Sequence, residues 1–145
     1  MPNNTTADKL EISVYIDPTP NTDTGEYTWY YNNMSAPGFT IRVPKNVSQI
    51  LFSLDTATAG AFVFDAPDIT SVGGCKDLIL FQPTGLRDQV VIFDTQENIN
   101  QIVGGITLKA YPKGSDGNAL LALQPLRSDP EILNTGGESD PGPNR

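Results

Sequence analysis

The stretch Gln49–Asp65, QILFSLDTATAGAFVFD, limits the possible folds of this chain more than any other. Ile50, Phe52 and Leu54 share one parity, with Leu51 and Ser53 on the other, and Phe62 and Phe64 alternate with Val63. Aromatic and branched side chains at period two build a strand with one face in a core. The same alternation runs through Leu10–Ile16 (LEISVYI), Glu26–Asn33 (EYTWYYNN) and Phe39–Val43. No helical period persists beyond a turn or so.

Between these runs stand clusters of residues that break regular structure. Asp17–Gly25 carries two prolines, which cannot donate to a ladder, and Asn32–Gly38, Pro44-Lys45-Asn46 and Asp65–Asp77 are equally rich in Pro, Gly, Asn or Asp. Leu78–Phe81 is a continuous apolar run, which predicts a strand covered on both sides. Gln89–Phe93 is a further strand, and Asn98–Tyr111 another, with Gly104-Gly105 marking a bulge or bend inside it. Asp116-Gly117 is a tight-turn dipeptide and makes Ala119–Leu123 the expected hairpin partner. Residues 129–134 add a short edge strand.

About eight short strands at this spacing predict an all-β fold, an antiparallel β-sandwich in an immunoglobulin-like arrangement, with a closed barrel as the alternative. A chain of 145 residues is one domain at this composition. The expected boundaries are a flexible arm over residues 1–9, the sandwich over 10–134 and a disordered tail over 135–145.

Charge and missing residue types exclude several kinds of chemistry. Nine Lys and Arg stand against 17 Asp and Glu, a net charge of −8, so nucleic acid and anionic membrane surfaces are not expected partners. There is no histidine, which removes Ser-His and Cys-His nucleophile activation and His-ligated zinc. The single cysteine, Cys75, allows no intrachain disulfide and reads as a semi-buried loop thiol. No apolar segment in MPNNTTADKL resembles a signal peptide and no run is long enough to span a bilayer, so the expected location is cytoplasmic.

What chemistry remains lies in two similar strand ends. Leu54-Asp55-Thr56 follows ILFS and Phe93-Asp94-Thr95 follows VVI. Aspartic peptidases bring two such carboxylates together; like charges at close range share one proton, so one acts as base on a water and the other as acid. Asp55 and Asp94 are therefore the candidate catalytic pair. The resemblance to the pepsin and retroviral peptidase motif is confined to these few residues, and both copies lack the Gly after Thr, with Ala57 and Gln96 in its place. The competing reading is that Asp and Thr end strands because their side chains bond nearby backbone.

A wider resemblance covers residues 10–134. The first strand closes in Ile16-Asp17-Pro18, the middle holds ILFSLDT and GAFVFDAP, and the end holds Asp129-Pro130-Glu131-Ile132-Leu133-Asn134. In that layout the chain resembles the DP-EP family of small bacterial proteins. The resemblance implies a β-sandwich, assembly into oligomers, and aspartic-type peptide-bond hydrolysis, including self-cleavage.

Other constellations read as structure first. Asp17, Asn21, Asp23 and Glu26 offer oxygen ligands for Ca²⁺ but lack EF-hand spacing, and an acidic turn explains them. Tyr27, Trp29 and Tyr31 alternate as core residues, leaving Tyr30 as the exposed candidate for a sugar contact. No cofactor and no metal are expected. The leading expectation is a small, acidic, soluble module that binds a protein partner or forms a homo-oligomer. An aspartic-type peptidase is the alternative and a glycan- or calcium-binding module the third reading; whether the chain is an enzyme stays open.

Overall fold

The alternating runs become strands that pair in two sheets. β1 is Thr5–Thr6, β2 Lys9–Ile16, β3 Trp29–Tyr31, β4 Met34–Ser35, β5 Thr40–Val43 and β6 Gln49–Leu54. A one-turn helix, α1 (Thr56–Ala59), leads into β7 (Phe62–Phe64), β8 (Asp68–Ser71), β9 (Leu78–Leu80) and β10 (Gln89–Asp94). The long β11 (Gln101–Pro112) is followed by β12 (Leu126–Ser128) and β13 (Glu131–Asn134). The structure, a computed structural model, describes residues 5–6, 9–35, 39–80, 87–121 and 124–136.

The first sheet has the order β4-β3-β2-β6-β10-β9, with β1 also on β2. The second has the order β12-β11-β13-β5, with β7 and β8 also on β11. The registers place β13 and then β12 along one edge of β11, and β8 and then β7 along the other. The fold is all-β, but the sheets are mixed rather than antiparallel, because β2 pairs with β6 and β13 with β5 in parallel. In the first case the chain leaves β2 for β3, β4 and β5 before returning beside it, so β6 arrives in the same direction.

Three other expectations change. Thr5–Thr6 pairs with Lys9 and Leu10, so part of the expected arm joins the first sheet. Among the described residues, Leu126–Ser128 is the strand that pairs with the end of β11; of the expected partner Ala119–Leu123, Ala119 makes a single bridge to Lys113, and residues 122 and 123 lie outside the described residues. Of the expected run Leu78–Phe81, Leu78–Leu80 lies at an edge of the sheet among the described residues, with Ile79 49% exposed and not covered on both sides; Phe81 lies outside the described residues. The expected tail lies outside the described residues from 137 onward.

One apolar core draws on both sheets. The inward parity of β6 is Ile50, Phe52 and Leu54, and that of β7 is Phe62 and Phe64, all buried. Tyr31 of β3 stacks on Phe39, with ring centroids 5.2 Å apart, and meets Phe52 edge-on at 6.3 Å. Its hydroxyl donates to Ser128 Oγ at 2.5 Å, which ties the first sheet to the second. Burial pushes the Tyr31 pKa up, so the hydroxyl stays a neutral donor. Each fully buried side chain of this size contributes about 1.5–3 kcal/mol relative to exposure.

The glycine pair in β11 does what paired glycines in a strand predict. The pairing with β13 shifts register between Ile102 and Gly104. A Cβ on Gly104 would come within 2.6 Å of Thr70 O and 2.9 Å of Leu78 Cδ1, whereas one on Gly105 has Pro130 O as its nearest neighbour at 3.6 Å. Gly104→Ala is therefore expected to cost about 1–3 kcal/mol in urea unfolding through overpacking. Gly105→Ala is expected to cost less; equal losses would contradict this account of the bulge.

Candidate functional site

Inward parity also buries polar groups. Along β10, Val90, Ile92 and Asp94 face the core, and along β13, Ile132 and Asn134 do so. A carboxylate and an amide thus end two apolar rows, one in each sheet. Asp77, the residue immediately before β9, is buried beside them; Asp77 is 0%, Asp94 1% and Asn134 0% exposed.

The Asn134 side chain joins the group. Its Nδ2 donates to Asp77 Oδ2 at 3.2 Å, to Asp94 Oδ1 at 3.1 Å and to the Asn98 carbonyl at 2.8 Å. Asn98 grips Asp77 from the other side, through its backbone N–H to Oδ2 at 2.8 Å and its Nδ2 to Oδ1 at 2.6 Å. Asp94 Oδ1 also accepts from the Gln96 N–H at 3.1 Å. Backbone bonds frame the cluster: Thr95 N–H donates to Asp77 O, Asp94 N–H to Ser48 O and Asn100 N–H to Asn134 O. The result is a buried polar clasp between the two sheets.

The loop after Asp94 is shaped for this arrangement. Gln96 stands where the peptidase motif has Gly, and it takes that position's left-handed backbone, with φ 61°. Its Nε2 then reaches the Pro44 and Val47 carbonyls at 3.0 and 2.8 Å, which holds the turn before β6.

The two carboxylates of the clasp are not equivalent. Asp77 accepts three bonds on its two oxygens. Asp94 Oδ2 has no hydrogen-bond partner, and neither have the buried Asn134 Oδ1 and Gln96 Oε1. Burial pushes the Asp94 pKa up to about 6, against the opposing pull of its bonds from Asn134 and Gln96, and the Asp77 charge adds to the rise. With two carboxyls on one amide nitrogen and the pKa of Asp94 raised, Asp94 is placed to hold and release a proton. The pair, with exposures of 0% and 1%, offers no room for an outside substrate.

The expected pair, Asp55 and Asp94, is not brought together. β6 and β10 are antiparallel, so Asp94 lies beside Ser48 at one end of β6 while Asp55 follows the other end. At about 3.3 Å per residue the two are roughly 20 Å apart. Asp55 instead caps α1, accepting from the Thr58 N–H at 2.8 Å. Thr58 is itself buried and its Oγ1 accepts from the Ile16 N–H at 3.0 Å. The alternative reading of a strand-end Asp, bonding to nearby backbone, is what Asp55 does.

Sequence reasoning missed Asp77, Asn98 and Asn134. The available signal was parity, since Asp94 and Asn134 continue rows whose other members are apolar. The remaining candidates sit elsewhere. Asn21 Oδ1 accepts from the Asp23 and Thr24 N–H groups, so that acidic segment is a self-bonded turn. Cys75 is buried, and Tyr30 packs on Tyr15 with centroids 5.7 Å apart. Two surface clefts, of about 330 Å³ beside Tyr27 and Pro125 and about 340 Å³ beside Val72 and Glu131, include no residue of the clasp.

Because the folded-state pKa of Asp94 is raised, the folded chain binds that proton more tightly than the unfolded one. Its contribution to stability is full below about pH 4 and lost as pH rises through about 6, an effect of about 3 kcal/mol. Urea unfolding across this window is expected to show the loss in the wild type and not in Asp94→Asn. A wild-type profile matched by Asp94→Asn would assign the dependence to other groups. Among the described residues no helix is long and apolar enough to cross a membrane. The chain matches no protein-family model and no curated protein.

Proposed function

We propose that the chain is an immunoglobulin-like β-sandwich that works as a self-assembling module, adding a second copy of itself through β9. The observation that carries this reading is the character of that edge. Among the described residues β9 ends the first sheet, is Leu78-Ile79-Leu80 without charge or proline, and exposes Ile79. Natural edge strands are usually blunted by charge, brevity, proline or a bulge, and an edge left apolar is a template for strand addition. Among the other described edges, β4 has two residues, β5 exposes Arg42, and on β8 Asp68 is paired with Lys109 at 2.8 Å. β1 also has two residues, β12 exposes Arg127 and the outer side of β7 is bridged by Arg87.

Two β9 strands meeting antiparallel form a self-complementary two-fold interface, with main-chain bonds supplying affinity. Each copy carries −8, so repulsion opposes pairing and salt relieves it. The assembly seen in light scattering is therefore expected to strengthen with salt, and Ile79→Lys to weaken it roughly tenfold or more, by placing like charges across the edge. An unchanged assembly state in Ile79→Lys would overturn the proposal.

A second reading rests on Asp77 and Asp94 sharing one amide nitrogen. It is aspartic-type hydrolysis of the chain's own backbone, in line with the resemblance to the DP-EP family. It expects intact mass to show a discrete cleavage near about pH 5 that Asp94→Asn abolishes, since Asp94 must exchange a proton there. Equal cleavage in both chains would assign it to the acid-labile Asp-Pro bonds that begin at Asp17, Asp129 and Asp140.

A further inference from the structure

The clasp and the β9 edge are neighbours in the chain and in the sheet. Asp77 is covalently joined to Leu78, the first residue of β9. Leu78 is in turn the register partner of Asp94, and the Asp77 carbonyl accepts from Thr95 N–H at 2.8 Å. The same short segment therefore positions both the buried carboxylates and the start of the exposed edge. Leu78 also packs towards Gly104 of the second sheet, where an added Cβ would come within 2.9 Å of Leu78 Cδ1.

The partners inside the clasp are unbalanced. Asp94 Oδ2, Asn134 Oδ1 and Gln96 Oε1 are all acceptors when Asp94 is charged, and all three lack a donor. Buried acceptors without donors are costly, and a proton placed on Asp94 Oδ2 turns one of them into a donor. Ionised, Asp94 instead puts a second negative charge on the nitrogen that already holds Asp77. Repulsion then acts on the segment that begins β9.

We infer that the clasp regulates self-assembly: with Asp94 protonated, β9 is held on β10 and presented to a second copy, and with Asp94 charged, the Asp77–Leu78 anchor loosens and pairing through β9 weakens. The inference rests on the reading of β9 as the assembly edge. The ionisable groups on the surrounding elements are Asp77, Asp94, the buried Cys75, and the exposed Arg42, Lys45, Lys76, Glu97 and Glu131. Of these, Asp77 and Asp94 are the ones bonded to Asn134.

The test is sedimentation velocity on the full chain between about pH 5 and 7.5 at constant ionic strength, where one linked proton gives about a tenfold change. The wild-type association constant is expected to fall by about that factor as pH rises. Asp94→Asn, which has no proton to lose, and Asp77→Asn, which removes the opposing charge, are both expected to flatten the response. A fall that both variants share with the wild type would overturn the inference, because it would then follow overall charge. Should the wild type and Ile79→Lys both remain monomeric throughout, the assembly reading itself fails. Hydrogen exchange at Leu78–Leu80 then decides the clasp alone. Exchange beyond its intrinsic rise with pH in the wild type, absent from Asp94→Asn, would support the anchor, and equal protection in both would overturn it.

Discussion

A single amide nitrogen, Asn134 Nδ2, fixes how one end of this molecule is put together. It belongs to the second sheet, yet two of its acceptors are carboxylates carried by the first. The apolar core holds the sheets together without direction, since burial of area does not choose a register. The clasp adds direction, because buried hydrogen bonds have one geometry and leave costly orphans when broken. The positions of the 95–100 loop, the turn before β6 and the start of β9 all follow from bonds to Asp77, Asp94, Asn98 and Gln96.

The two Asp-Thr strand ends show how little a dipeptide decides by itself. Asp55 meets one helical turn and spends its carboxylate on capping it. Asp94 is turned inward by the parity of β10, loses water, and acquires a second carboxylate as neighbour. The expected pair of Asp55 and Asp94 does not form; the carboxylate that shares the Asn134 nitrogen with Asp94 is Asp77. Being closed to solvent, the Asp77–Asp94 group is suited to holding a proton within the fold and admits no substrate from outside.

How much of this was legible in the sequence depended on the range of the interaction involved. Period two placed Ile50, Phe52, Leu54, Phe62 and Phe64 in the core, and the paired glycines located the bulge at Gly104, because both are local consequences of backbone geometry. Sheet order was not legible: the parallel β2–β6 and β5–β13 pairs depend on which strands meet after long excursions. Leu78–Leu80 was misread as fully covered for the same reason, since an apolar run does not say whether a neighbour follows it. Asn134, the key to the clasp, reads in the sequence as the end of an edge strand, whereas β13 lies between β11 and β5; only its inward parity with Ile132 marks it.

The account turns on Asp94 being a buried acid whose proton the clasp retains. The most direct measurement is a carbon-13 NMR titration of the Asp94 side-chain carboxyl in the folded chain. The expected inflection is at about 6, moved there by burial and by the Asp77 charge. An inflection at or below about 4, the ordinary value for an exposed aspartate, would contradict it.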